Sequence, residues 1–340
     1  MRKALTTALM LIGAMTATAA DAPMAESPIE TVVVAGEYAG PGMWQITHPD
    51  HPGHTLWIVG EPPLLPKGMR FRSQQVAHVA SQSQEILQRP GFSLNPDEKV
   101  GVFRMLTLVP AALKLRRNPD KATLQELIPP DIYARWLVQK KLYLGRDSGV
   151  EKMRPFLVAE KLREAAIKEL RLGLGGSWPE VWEQVRTKKI PVTTPTLEFT
   201  FKTDDLRRQL KVFSREKLAD EECFAKTVEL AEALSNKQVE EARASAWATG
   251  DLAKLQELPP LPDPGPACEK AIIDSLAMVT PVPTNLREQM DELWFAAAGR
   301  ALTKNESTLA FVPMSNLLGE NGYLESLRKR GYEILAPGAE

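Results

Sequence analysis

The chain has 340 residues, 44% of them hydrophobic, which is enough core for one large domain or two small ones. Its 42 Lys and Arg stand against 43 Asp and Glu. A formal charge of −1 excludes the broad cationic field that a nucleic-acid backbone or an anionic bilayer surface would require.

Met1–Ala20 has the pattern of an export leader: Arg2 and Lys3, then the apolar run Ala4–Met15, then the small residues Thr16–Ala20. The apolar run is short for a membrane span, and no second run is long enough to cross a bilayer. Residues 21–340 are therefore expected to be exported, into a periplasm or to the outside. Asp21–Gly40 reads as a lead-in with a strand at Glu30–Ala35. A strand (Met43–Thr47), a turn-rich tip (His48–His54), a second strand (Thr55–Val59) and an exit at Gly60 follow.

The spacing of Val76, Val79, Ala80, Ile86 and Leu87 predicts a helix over Gln74–Leu87. Val100–Leu115 is apolar without a clear period. From Thr123 the pattern is helical, over Asp131–Tyr143, Lys152–Leu172 and Glu180–Arg186. Ile190–Phe201 is β-branched and aromatic and predicts a strand, its prolines marking an edge or bulge. Asp204–Leu258 is helical and charged, with Gly250 and Asp251 as a stop and an N-cap, and Pro259–Pro266 is a stiff connector. Helices at Ala267–Val279 and Asn285–Leu302, a strand at Thr308–Met314, a helix at Tyr323–Arg330 and a strand at Tyr332–Leu335 close the chain.

Three groups of residues could carry chemistry. His48, His51 and His54, with Asp50 between them, could hold Zn²⁺ or Cu²⁺, but Pro49, Pro52 and Gly53 make this an exposed tip. Cys223 and Cys268 have one possible connectivity, and in an oxidising compartment they are expected to pair rather than remain as two buried thiols. His78 is the only other histidine, and no Gly-x-Ser-x-Gly elbow accompanies it.

Gly40–Ser73, with its two strands, Gly60 and the turn Leu65-Pro66-Lys67-Gly68, resembles the opening of the TraB/GumN family, which includes the Tiki metalloproteases. Thr123–Trp136, Ser245–Leu255 (SAWATGDLAKL) and Phe311–Leu327 resemble later family segments in the right order, so the likeness covers about residues 30 to 337. It implies a mixed α/β fold, with a central sheet built from N- and C-terminal segments (about 30–115 and 267–337) and a mainly helical insertion (about 116–266).

It also implies a divalent-metal hydrolase, and here the chain departs from the family. In the family the second strand ends in Gly-x-x-His, whose histidine is a metal ligand; that position is Pro63. The second Gly-x-x-His falls on Pro313-Met314-Ser315-Asn316, the acid after the first helix on Gln88, and an Arg-Asn pair on Met290 and Asp291. The family's Gly-Leu-Glu falls on Thr196-Leu197-Glu198 and keeps its carboxylate. A hydrolytic metal needs about three protein donors and an open position. Proline offers none, and amide carbonyls are weak ligands for transition metals.

The resulting expectation is a catalytically inactive relative without a cofactor, binding or scaffolding in the periplasm. Its remnant site would be Glu61, Gln88, Glu198, Ser315 and Asn316, and its partner a peptide, a glycan or an envelope protein. Two other readings remain open: a metal-dependent hydrolase or peptidase with a rearranged site, or an accessory of envelope polysaccharide biogenesis.

Overall fold

The protein is seen in a computed structural model that describes residues 40–98, 110, 113–175, 178–203, 206–277, 282–283, 285–319 and 321–338. The strand expected at Glu30–Ala35 and most of the apolar stretch Val100–Leu115 lie outside these residues. In chain order the strands are β1 (Met43–Thr47), β2 (Thr55–Glu61), β3 (Leu64–Pro66), β4 (Glu85–Leu87), β5 (Gly91–Pro96), β6 (Leu172–Leu174), β7 (Val192–Thr193), β8 (Thr196–Phe201), β9 (Ser307–Pro313) and β10 (Glu333–Leu335).

Side-chain alternation along the strands builds two cores on opposite faces of one sheet. Met43, Val59, Ile86, Leu309 and Phe311 point to one face, where helices Gln74–Gln82, Pro179–Lys188 and Lys237–Ala248 add Val76, Val181 and Trp247. Trp44, Ile46, Leu56, Ile58, Leu87, Ala310 and Val312 point to the other, under Trp294 and Phe295 of helix Leu286–Lys304 and Leu324 and Leu327 of helix Tyr323–Lys329. With both faces covered, β9 is buried from Thr308 to Val312, as a near-continuous apolar strand should be.

The sheet has the order β10-β1-β2-β9-β4-β7. β1 runs antiparallel to β10 and to β2, while β2, β9, β4 and β7 are parallel. This is a mixed α/β fold whose sheet draws on both ends of the chain. A further core, around Trp136, Val158, Leu162, Phe224 and Val228, lies among the helices of residues 124–277. The Cys223–Cys268 disulfide closes that core by tying helix Glu221–Leu234 to helix Gly265–Ala277.

Two expectations are corrected. The helix expected over Gln74–Leu87 ends at Gln82, and Glu85–Leu87 is strand β4. Ser83 turns extended and its hydroxyl donates to the Val79 carbonyl at 2.9 Å. Ile86 and Leu87 then pack on opposite sheet faces, which one helical stripe would not allow. The strand expected over Ile190–Phe201 is broken at Thr194-Pro195. Val192–Thr193 extends the main sheet beside β4, and Thr196–Phe201 pairs with β5 in a separate two-stranded sheet. Pro195 has no N–H for a ladder, and its carbonyl accepts from the Gly91 N–H at 2.9 Å.

Candidate functional site

The four parallel strands release their carboxyl ends side by side. β2 and β9 run in register, with Gly60 opposite Val312 and Glu61 opposite Pro313. β4 ends at Leu87 and hands the chain to Gln88 and Arg89; β7 ends at Thr193 and hands it to Thr194. Ligands of open α/β sheets bind outside these ends, because loops diverge there over a fixed scaffold. Two cavities lie at this place. The smaller, about 500 Å³, is lined by Glu61, Gln88, Arg89, Thr194, Ser315 and Trp182, among others. The larger, about 650 Å³, extends toward the helices of the 155–277 region. Both are bounded by Pro62, Pro63, Arg89, Pro313 and Ser315, so they adjoin along a common edge.

Of the residues singled out in the sequence, Glu61, Gln88 and Ser315 come together in the smaller cavity. Glu61 is half-buried and burial raises its pKa above the ordinary 4.5, opposed by a hydrogen bond from the Trp178 indole N–H (3.4 Å) and by the Arg89 charge. Gln88 accepts the Thr194 hydroxyl proton at 2.8 Å. Asn316 lines neither cavity; it hydrogen-bonds the Tyr323 hydroxyl, which donates to Asp291 Oδ1 at 2.5 Å. Arg287 joins Asp291 at 3.3 Å and Glu269 at 2.9 Å, so Asn316 borders a polar network. Burial and Asp291 push the Tyr323 hydroxyl far above its usual range. Glu198 is exposed on β8 opposite Ser93 and lines neither cavity.

The histidine tip anchors itself to helix Leu286–Lys304. His54 Nδ1 lies 2.7 Å from the Leu302 carbonyl, His51 Nε2 lies 3.3 Å from the Thr303 hydroxyl, and the His48 ring packs on Tyr332.

Four residues that matter here carried little signal of their own. Arg89 follows Gln88 and looks like any loop cation. Thr194 sits in what reads as one strand. Trp178 and Trp247 pass as core aromatics, although Trp247 opens the Trp-x-x-Gly-Asp segment. The structure shows what that segment does: Trp247 Nε1 donates to the Gly60 carbonyl at 2.8 Å. Gly250 adopts φ +71°, and a Cβ there would come within 3.0 Å of the Gly42 nitrogen. Asp251 Oδ1 caps helix Leu252–Glu257 by accepting from the Lys254 N–H at 2.9 Å. The segment therefore holds the end of β2 in place.

A model of the TraB/PrgY/gumN family matches residues 42–336. The chain belongs to this family. No match is found among curated proteins or among solved structures. The resident divalent metal implied by the TraB/GumN likeness does not fit the donors present. Among the described residues Glu61 is the one carboxylate that lines the smaller cavity, and it has a guanidinium for a neighbour; the other polar side chains there are an amide, two hydroxyls and an indole. Among the described residues, no three His, Cys, Asp or Glu side chains converge on a common point.

Proposed function

We propose that this TraB/PrgY/gumN family member is an exported, non-catalytic binding protein that holds its ligand in the adjoining cavities at the carboxyl ends of β2, β4, β7 and β9. The observation that carries this reading is the chemistry of the smaller cavity. Glu61 stands beside Arg89, and Gln88, Thr194 and Ser315 supply neutral hydrogen-bonding groups. Such a set recognises a polar group but cannot lower the pKa of a water as a metal centre does. Export is supported by the Met1–Ala20 pattern and by a disulfide suited to an oxidising compartment.

Titration of periplasmically folded protein with Mn²⁺, Co²⁺ and Zn²⁺ tests this, beside a variant with His48, His51 and His54 replaced by alanine. The expected result is no tight metal site, or one that disappears with the three histidines. One metal per chain that survives in the variant would overturn the reading and make Glu61 the first ligand to test.

A further inference from the structure

The larger cavity is mainly apolar and offers a polar ligand few free donors. Six prolines form part of its wall: Pro62, Pro63, Pro260, Pro262, Pro264 and Pro313. None of them has an N–H to donate. Phe156, Leu230, Leu261 and Ile272 add apolar surface, and the Cys223–Cys268 disulfide lies in the same wall. Most of the charged side chains there are already engaged. Arg163 is bidentate on Glu160, at 2.6 and 3.0 Å. Arg243 is held by Glu240 and by the Pro259 carbonyl. Asp263 accepts the Gly265 N–H at 2.8 Å.

Arg89 differs. Among the described residues it makes no hydrogen bond or ion pair, and it stands on the edge shared by the two cavities, where its charge acts on Glu61.

A peptide or glycan placed in the larger cavity would set much of its polar surface against apolar walls that offer few free donors to its carbonyls, which is unfavourable for each unpaired group. An acyl chain has no such groups and gains from every methylene removed from water. A volume of about 650 Å³ lies within the usual range for small-ligand cavities. Arg89 on the shared edge and Glu61 in the adjoining smaller cavity present one cation and one carboxylate, which complements a head group carrying both signs.

We propose that the larger cavity takes a single acyl chain and that its zwitterionic head lies across the shared edge into the smaller cavity, a phosphate on Arg89 and an ammonium on Glu61. This rests on the binding reading above and names the ligand class of that site.

The test uses the full-length, disulfide-intact protein and lysophosphatidylethanolamine brominated in its acyl chain, kept below its micelle-forming concentration. Bromine quenches nearby indoles, and Trp247 lines the cavity. Saturable quenching at one lipid per chain is expected. Arg89 is exposed, so Arg89→Ala should fold, and loss of its charge-assisted contact should weaken binding about tenfold. Glu61→Gln should weaken the ethanolamine lipid but not a brominated fatty acid, which has no ammonium. Both variants are checked against the wild-type far-ultraviolet circular dichroism spectrum.

Quenching that never saturates, or that neither substitution changes, would overturn the assignment. If a peptide or glycan binds and is lost on Glu61→Ala while neither amphiphile binds, the acyl assignment fails and the binding reading stands. If no ligand of any class depends on Glu61 or Arg89, both fail.

Discussion

Two tryptophans make opposite demands on their indole N–H groups, and replacing each by phenylalanine separates a hydrogen bond from packing. Trp247 is 2% exposed and Trp294 fully buried, and each packs against two aromatic neighbours. Trp247 Nε1 donates to the Gly60 carbonyl at 2.8 Å. Trp294 Nε1 has no hydrogen-bond partner among the described residues.

Both substitutions shrink a buried ring, which should cost about 1–2 kcal/mol in lost transfer and cavity terms. Trp247→Phe also strips the Gly60 carbonyl of its donor, adding about 1–3 kcal/mol. Trp294→Phe removes a donor that is already unsatisfied, which recovers part of its packing loss. Trp247→Phe should therefore be the more destabilising by about 2 kcal/mol or more. Equilibrium guanidinium unfolding of wild type and both variants, compared at a common denaturant slope, measures the difference. Equal losses, or a larger loss for Trp294→Phe, would refute the claim that the indole bond anchors the end of β2.

Other consequences can be checked alongside. Because burial raises the Glu61 pKa, the folded state binds the proton more tightly than the unfolded one. Its favourable contribution is fully present below the ordinary 4.5 and is lost as pH rises through the elevated folded-state value. Glu61→Gln should thus gain in melting temperature relative to wild type between pH 4 and pH 7; a flat difference across that range would contradict the burial. Replacing Cys223 and Cys268 together by alanine opens a loop spanning 45 positions and should lower stability by up to about 4 kcal/mol. An unchanged denaturation midpoint would argue against a stabilising bridge. At Gly175 a Cβ would clash with the Pro62 carbonyl oxygen, so Gly175→Ala must displace backbone at the cavity edge. A loss of about 1–3 kcal/mol is expected by thermal denaturation, and wild-type stability would show that the close approach is relaxed at no cost.

The sequence by itself was sufficient for the family, the mixed α/β class and the strands of the terminal sheet. Met43–Thr47 and Thr55–Val59 are short apolar runs between turn-rich segments, and the run ending at Pro313 is continuously apolar, as strands covered on both faces should be. The resemblance also implied that Pro63 and Asn316 stand at the family's ligand positions, an implication that rests on the motif match alone. The sequence could not show that Glu85–Leu87 leaves the helix, since Ile86 and Leu87 fit a helical stripe until a sheet exists to bury both faces.

The family resemblance pointed to Glu61, Gln88 and Ser315, but not to Arg89 or Thr194, and it placed Glu198 and Asn316 in the same pocket, where they do not lie. Glu61, Gln88, Thr194 and Ser315 are distant in sequence and meet only because parallel pairing of β2, β9, β4 and β7 sets their carboxyl ends side by side. Asn316, which accepts from the neighbouring Ser315 hydroxyl at 3.4 Å, lines neither cavity and borders Tyr323. Strand registry and the direction in which adjacent side chains leave a turn arise from long-range packing, and that is why only the tertiary structure could decide them.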